Sequence, residues 1–426
     1  MKKIILIILL LFFTTYSISF ADSLNLSGEG AILIDSDTGQ VLYEKNPHMK
    51  LHPASTTKIM TGILALELGN MDDIVTVDEE VVRLTDGSHI ALEPGEQLKF
   101  EDLLNALLIE SANDSALAIA KHISGSIDEF VKLMNDKAKE LGALNTNFVN
   151  PNGLSDDSHL TTAYDLSLMA QYAMKNNSFR EIVSNYTYTI PKTNKKEEER
   201  YLKSANRLLY STQKINVDGN SVPIKYEGIN GVKTGYTSVA QNCLVASAQR
   251  GNQNLIAVVL KSNGKEVFSD IHKLLNYGFN NFEKVNVTTK NYFVDNIEIK
   301  DAINPIVAGI IKEDLPVSIP KGSIDKIDKI DKKVYIDKEI EAPIEKGQVL
   351  GKVEYYLQGQ LLGQAEIIST LDIEKIPPVT IVQWLLSKWY LLLVGLFVLY
   401  RVVVIVKRKK NRRRRRSLYK VPSSFQ

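Results

Sequence analysis

At 426 residues the chain is long enough for two or three domains with ample cores. Its net charge of +1 conceals two lysines and no acid in residues 1–21 and ten Lys or Arg and no acid in residues 407–426. With those twelve set aside, residues 22–406 carry 39 basic and 50 acidic residues, a balance of −11, which excludes that region as a polyanion binder, so no nucleic acid is expected as a partner.

The chain opens as a secretory signal. Lys2 and Lys3 precede the apolar run Ile4 to Phe13, and Ser19-Phe20-Ala21 places small residues at a cleavage site, so residues 1–21 are expected to be removed. Residues 30–45 predict a hairpin around the turn Ser36-Asp37-Thr38-Gly39. Ser55 to Leu68 predicts a helix with Pro53 just ahead of it. Helical spacing follows over 101–124, 127–141 and Thr162 to Lys175. Strand-like runs appear near 185–191, Gly231 to Tyr236, 242–249 and 254–261, and a helix over 267–279 closes the unit. Strands at both ends with helices between predict one α/β domain over residues 22–282.

From residue 283 to 372 short apolar alternations such as Lys333-Val-Tyr-Ile and Val353-Glu-Tyr-Tyr are separated by Gly, Pro and charged turns, the texture of a small all-β domain. Ile-Asp-Lys occurs three times in 324–332, too short a period for a solenoid. Residues 381–406 then form an apolar stretch of about 39 Å at 1.5 Å per residue, enough to cross a bilayer. Trp384, Trp389, Tyr390 and Tyr400 suit its interfaces, with Lys388 and Arg401 near opposite ends. The basic tail 407–426 is expected in the cytoplasm and the body outside, which makes this a single-pass protein of the cell membrane.

Three strings fall in one order: Ser55-Thr56-Thr57-Lys58, Ser111-Ala112-Asn113 and Lys233-Thr234-Gly235. Each alone is weak. Ser-x-x-Lys occurs six times in the chain and Ser-x-Asn three times, whereas Lys-Thr-Gly occurs once. Together they supply a nucleophile, a base, a relay and an anion clamp without a histidine. If Ser55 opens a helix, Lys58 lies one turn on and on the same face, and the helix N-terminus favours a developing oxyanion.

A lysine is a base only when neutral, and at an ordinary pKa near 10.4 only about 1 in 2,500 is neutral at pH 7. Desolvation and a second cation can lower that pKa, so the first string needs Lys233 of the third. Ser111 can carry a proton between Lys58 or Lys233 and a leaving amine. Asn113 can orient a substrate amide with both a donor and an acceptor. Lys233 and Thr234 on a strand edge can hold an anion, Gly235 allows close approach to the backbone, and the Tyr236 N–H can act as oxyanion donor beside that of Ser55.

Other chemistry is thin. His48, His52, His89, His122, His159 and His272 form no spaced zinc pair, so neither metal nor cofactor is expected. His159, beside Thr161, Thr162 and Tyr164, reads as structural. Cys243 is the sole cysteine and reads as a small buried hydrophobe.

The three strings are those of β-lactamases and penicillin-binding proteins. With them, Gly87-Ser-His-Ile-Ala-Leu-Glu-Pro-Gly-Glu96, Phe148-Val-Asn-Pro-Asn-Gly-Leu154, His159-Leu-Thr-Thr-Ala-Tyr-Asp-Leu166, Asn206-Arg-Leu-Leu209 and Leu274-Leu-Asn-Tyr-Gly-Phe279 resemble the low-molecular-weight penicillin-binding proteins, the D-alanyl-D-alanine carboxypeptidases of the serine peptidase S11 family. The resemblance runs from about residue 25 to 280. It implies a transpeptidase-like domain with a central antiparallel sheet flanked by helices.

It also implies that Ser55 attacks the penultimate D-alanine of a peptidoglycan stem pentapeptide. Lys58 would be the base, Ser111 the relay, and Asn113, Lys233, Thr234, Gly235 and Tyr236 would bind substrate. β-Lactams would acylate the same serine. Two features depart from the family. Val267-Phe268-Ser269-Asp270 stands where relatives carry Arg-Phe-x-Asp, leaving Lys265 as a substitute cation, and a true span stands where many relatives have an amphipathic surface helix. A β-lactamase and a catalytically silent penicillin-binding scaffold or sensor are the alternatives. No Glu-bearing loop of the class A type separates Asn113 from Lys233, and the β domain and anchor favour a wall enzyme.

Overall fold

The computed structural model describes residues 24–323, 330–357, 359–378 and 380–417. The expected signal sequence, most of the Ile-Asp-Lys run and residues 418–426 of the tail lie outside the described residues. The fold divides into two compact units. The first runs through Lys290 and adds Glu313–Tyr335 and Lys352–Ala365; the second holds Asn291–Lys312, Ile336–Gly351 and the chain from Glu366 onward.

In the first unit five strands form the central sheet: β1 (Gly30–Asp35), β2 (Val41–Lys45), β3 (Ile229–Thr237), β4 (Gln241–Arg250) and β5 (Gln253–Ser262). Their spatial order is β2-β1-β5-β4-β3, and every join is antiparallel. The run Leu255 to Leu260 of β5 has no polar residue and no exposure, as a strand covered on both faces requires. Successive side chains on a strand point to opposite faces. Ile256, Val258 and Leu260 accordingly pack with Ile59, Met60 and Ile63 on one side. Leu255, Ala257 and Val259 pack with Ile271, Leu274 and Leu275 of the Glu266–Asn281 helix on the other.

The helix Lys58–Leu68 is buried from Lys58 through Ala65, and it is apolar nearly all round because it runs through the core rather than over it. Around it stand Asn113–Ser124, Ile127–Glu140, Ala163–Ala173 and Asn177–Ser184. Ser126, Thr162 and Asn176 cap the last three by accepting the N–H of Glu129, Asp165 and Phe179.

Two expected helices have different starts. Ser55 sits in a tight 3-10 turn, Ala54–Thr57, and the α-helix begins only at Lys58. The helix expected over 101–124 is interrupted. Its first part, Phe100–Asn105, widens into a π-type turn over Ala106–Glu110, and Ser111 then adopts a left-handed conformation with φ 68°. A new helix starts at Asn113. Periodicity runs on through the break because residues on both sides still face the same core.

The strand Phe282–Thr288 pairs with Leu315–Pro320 in the first unit. Ser318 there donates through Oγ to buried Asp35 Oδ2 at 2.7 Å, and its backbone exchanges two hydrogen bonds with the Gln40 side chain. In the second unit Phe293–Glu298 pairs with Ile306–Ile311, which pairs in turn with Ile367 to Ser369. The apolar stretch expected over 381–406 is divided at Lys388 into Ile381–Ser387 and Trp389–Ser417. Lys388 N–H bonds the Leu385 carbonyl three residues back, which tightens and ends the first helix. The segment Trp389–Arg414 is long and apolar enough to cross a membrane.

Candidate active site

Pro53 and Ala54, with Ala54 at φ 48°, turn the chain sharply into the Ser55 corner. Thr56 seals the turn through two bonds to the Pro53 carbonyl, from its N–H at 3.2 Å and its Oγ1 at 2.7 Å. Ser55 is half-buried at the mouth of this turn, and Lys58 is fully buried one turn below it.

Lys58 Nζ has three hydrogen-bond neighbours: Ser55 Oγ at 3.0 Å, Asn113 Oδ1 at 2.6 Å and the Asn152 carbonyl at 2.6 Å. The Asn113 amide is oriented by its other end, which donates to the Asp86 carbonyl, so Oδ1 must face the amine. Gly87, at φ 74°, lets that loop pass close to Asn113, since a Cβ there would lie 3.1 Å from Asn113 Nδ2.

Burial, and next the positive charge of Lys233, hold the Lys58 amine well below the ordinary lysine range, while the Asp114 charge opposes them. Lys233 is 1% exposed, and burial lowers it to about 7 against the opposing charge of Glu110. Its Nζ makes a single hydrogen bond among the described residues, to the Thr234 carbonyl at 3.2 Å. Lys233 lies opposite Val245 on β4 and so faces the side of the sheet that packs against the Lys58–Leu68 helix. β3 is the sheet edge, and Thr234 is half-buried along it.

Gly235 has a reason beyond access for ligand. A Cβ there would lie 2.9 Å from Ser55 N, 3.0 Å from Pro53 O and 3.0 Å from Thr56 N. All three are backbone atoms, so any side chain would push β3 off the nucleophile turn. The missing side chain sets Ser55 N beside the Gly235–Tyr236 stretch. The Tyr236 ring is 67% exposed.

Ser55, Lys58 and Asn113 thus form one hydrogen-bonded cluster, with Lys233 close enough to repel Lys58 and Gly235 in contact with the Ser55 turn. Ser111 is buried two residues ahead of Asn113, and its hydroxyl has no hydrogen-bond partner among the described residues. Val267 is buried in the apolar cluster on the opposite face of the sheet, and Lys265 is exposed at the start of the following helix. Cys243, opposite Gly235 on β4, is buried, and burial raises its thiol to about 12. Among the described residues no cluster of three His, Cys, Asp or Glu side chains could hold a metal ion.

Two contributors escaped the sequence reading. Asp114 accepts from the N–H of Ile90 and Leu92 and fixes the loop over the cleft. Burial pushes its carboxyl above the usual range despite those bonds. Asn152 acts through its carbonyl, which no side-chain pattern encodes. The Asn-Gly pair at 152–153 was the available signal: Gly153, at φ 86°, would place a Cβ 2.0 Å from Ala54 O.

Residues 18–264 match the family Peptidase S11, D-alanyl-D-alanine carboxypeptidase, and residues 282–375 match the C-terminal domain of penicillin-binding protein 5. The chain is 36% identical to the D-alanyl-D-alanine carboxypeptidase DacF of Bacillus subtilis, over 85% of this chain and 90% of that protein. It is 32% identical to DacC of Escherichia coli, over 81% and 84% respectively. Its fold is similar to the crystal structure of penicillin-binding protein 5 from Haemophilus influenzae, with a TM-score of 0.68, 29% identity, and coverage of 82% of this chain and 98% of that one.

Proposed function

The chain belongs to the serine peptidase S11 family of D-alanyl-D-alanine carboxypeptidases, and from that premise we propose which of its residues carry the reaction. It is a hydrolase that releases terminal D-alanine through a serine acyl-enzyme. The acyl-enzyme forms on Ser55. The observation that carries this assignment is the Lys58 amine, buried and 3.0 Å from Ser55 Oγ.

A neutral amine has two N–H groups and one lone pair. Asn113 Oδ1 and the Asn152 carbonyl can only accept, so they take the two hydrogens and leave the lone pair for the Ser55 hydroxyl. As Ser55 Oγ attacks the penultimate D-alanine carbonyl, its proton passes to Lys58 and the carbonyl electrons move to oxygen. The N–H groups of Ser55 and Tyr236 receive that oxyanion. On collapse the C–N bond breaks: Ser111 gives its proton to the departing D-alanine nitrogen and takes one in turn from protonated Lys58, which is again a neutral amine. Water then attacks the ester and gives a proton to neutral Lys58, which passes it to Ser55 Oγ as the acyl C–O bond breaks, so that both Ser55 and the amine are restored.

Lys233 binds the terminal carboxylate of the substrate, with Thr234 and Asn113 completing the contacts. Its amine supports that role: among the described residues it has one hydrogen bond and no ion pair, so an arriving anion is what favours its charged form. β-Lactams acylate Ser55 by the same attack, and the peptide partner is the peptidoglycan stem pentapeptide. The Trp389–Arg414 helix anchors the protein in the cell membrane, with residues 22–282 as the peptidase domain and 283–372 as a small β domain outside, and the basic tail in the cytoplasm.

The test uses the full chain in mild detergent. A fluorescent penicillin labels it covalently, the protein frees D-alanine from diacetyl-Lys-D-Ala-D-Ala, and Ser55→Ala abolishes both. Labelling that survives Ser55→Ala removes the nucleophile assignment.

A further inference from the structure

The Asn152 carbonyl belongs to a loop, and a loop carbonyl is a useful partner for a catalytic amine only if the loop is fixed. Three contacts fix it. Thr61 Oγ1 on the nucleophile helix donates to the Pro151 carbonyl at 2.6 Å. Asn150 closes the loop on itself, accepting the Gly153 N–H at 2.7 Å and donating to the Leu154 carbonyl at 3.0 Å. The third contact is His159, which joins the start of the loop to the turn beneath it.

His159 Nδ1 accepts the Val149 N–H at 3.1 Å, and its Nε2 lies 2.9 Å from Thr57 Oγ1, the residue before Lys58. An acceptor at Nδ1 requires the proton on Nε2, so the ring donates to Thr57. The ring is 1% exposed and packs edge-on against Phe148. Burial lowers it to about 4, so it is neutral wherever Lys58 can act. The charged or titratable groups around it are Asp156 and His52, the latter with Nδ1 3.2 Å from the His159 carbonyl.

Resting on the reading of Lys58 as base, we propose that His159 is a positioning residue for that base. As a neutral bridge between Thr57 and Val149 it holds the Asn152 carbonyl in place, and that carbonyl takes one amine hydrogen and turns the lone pair onto Ser55 Oγ. Without the bridge the loop lifts, water reaches the amine, and Lys58 both loses its aim and regains its proton.

His159 touches neither substrate nor Ser55, so its effect reads out through Lys58. His159→Asn keeps an acceptor for Val149, and His159→Gln keeps a donor for Thr57; neither keeps both. In the full chain both variants should still bind one fluorescent penicillin per molecule. Acylation at pH 7 should fall about 10- to 100-fold, the scale of a misaligned reacting pair. The acid limb of the acylation rate should move to higher pH, so that the deficit shrinks in alkaline buffer.

A merely structural role would lower the fraction of molecules labelled and leave the limb in place. Full labelling with an unmoved limb and an unchanged rate overturns the proposal. If the histidine variants lose labelling altogether, Thr57→Val decides the matter. It removes only the hydroxyl that receives the bridge and must displace the limb in the same direction; an unmoved limb there overturns the proposal. Failure of the premise looks different: Lys58→Ala would then acylate like the parent, whatever His159 does.

Discussion

The turn that carries Ser55 packs directly against the strand that carries Lys233, and a buried lysine lies at each, Lys58 just after the turn and Lys233 within the strand. Among the described residues Lys58 has three hydrogen-bond partners and Lys233 one. Both amines are displaced downward mainly by burial, yet only Lys58 is oriented in space. A base must be aimed, because proton transfer is sensitive to geometry. An anion clamp needs charge and an empty side. The difference in partner number between two equally buried lysines therefore separates their tasks better than either position in the chain does.

The largest way to break this comparison is to remove the aimed lysine. Lys58→Ala should slow penicillin acylation about 10²- to 10⁴-fold, the range for loss of a general base. The substitution also strands Asn113 Oδ1 and the Asn152 carbonyl, so stability should fall by about 1–3 kcal/mol for each acceptor that water does not reach. Stopped-flow acylation and thermal unfolding on one preparation separate the two effects. A rate within a few-fold of the parent would mean that the aimed amine is not the base.

Removing the other lysine should act on binding and on pH dependence. The base works when neutral, so acylation climbs as Lys58 loses its proton. The clamp works when charged, so kcat/KM for a carboxylate-bearing peptide declines above about pH 7, where Lys233 deprotonates. Bound carboxylate favours the charged amine, so the same limb in kcat lies at higher pH. Lys233→Met should cost about 10- to 100-fold in kcat/KM, the worth of one charge-assisted bond. It should erase the alkaline limb. It should also move the acid limb upward, because the charge that helps suppress Lys58 is gone. A bell of unchanged width in the variant would refute the assignment of that limb.

Much of this site was legible in the chain because its chemistry is local. Ser55 and Lys58 are three residues apart on one turn, and Ser111 and Asn113 flank one break. The sheet was legible because β1, β4 and β5 are apolar on both faces and bounded by turns. The break at Ser111 was not, because its flanks pack on a common core and keep the helical period through it. The Asn152 carbonyl was hidden for a different reason: main-chain atoms are the same in every residue, and only the fold decides which one meets an amine. His159 reads as structural from its neighbours, and its two nitrogens join the Val149 N–H to the hydroxyl of Thr57, one residue before Lys58. Lys265, a stand-in for the family arginine by sequence, is exposed at a helix start, whereas Val267 serves the core on the far face.

The smallest expected effect is on stability, and it sharpens the comparison because it does not involve substrate. Lys233 has a folded pKa of about 7 against roughly 10.4 in an unfolded chain. Between those values the unfolded state binds a proton that the folded state has released, so stability rises with pH across that window, by up to about 1.4 kcal/mol per unit. Below pH 7 both states carry the proton, and the cost of holding a charged amine in the cleft is then complete. Lys233→Met removes that cost and that slope. The variant should therefore be more stable than the parent at pH 7 and lose its advantage toward pH 10, as read by urea unfolding of the full chain in mild detergent. Because the Lys233 charge itself shifts Lys58, the comparison is made in a Lys58→Met background, where the difference between the two proteins reports the clamp alone. A difference that stays constant from pH 7 to pH 10 would mean that Lys233 keeps its charge in the empty cleft, and that something other than burial balances it there.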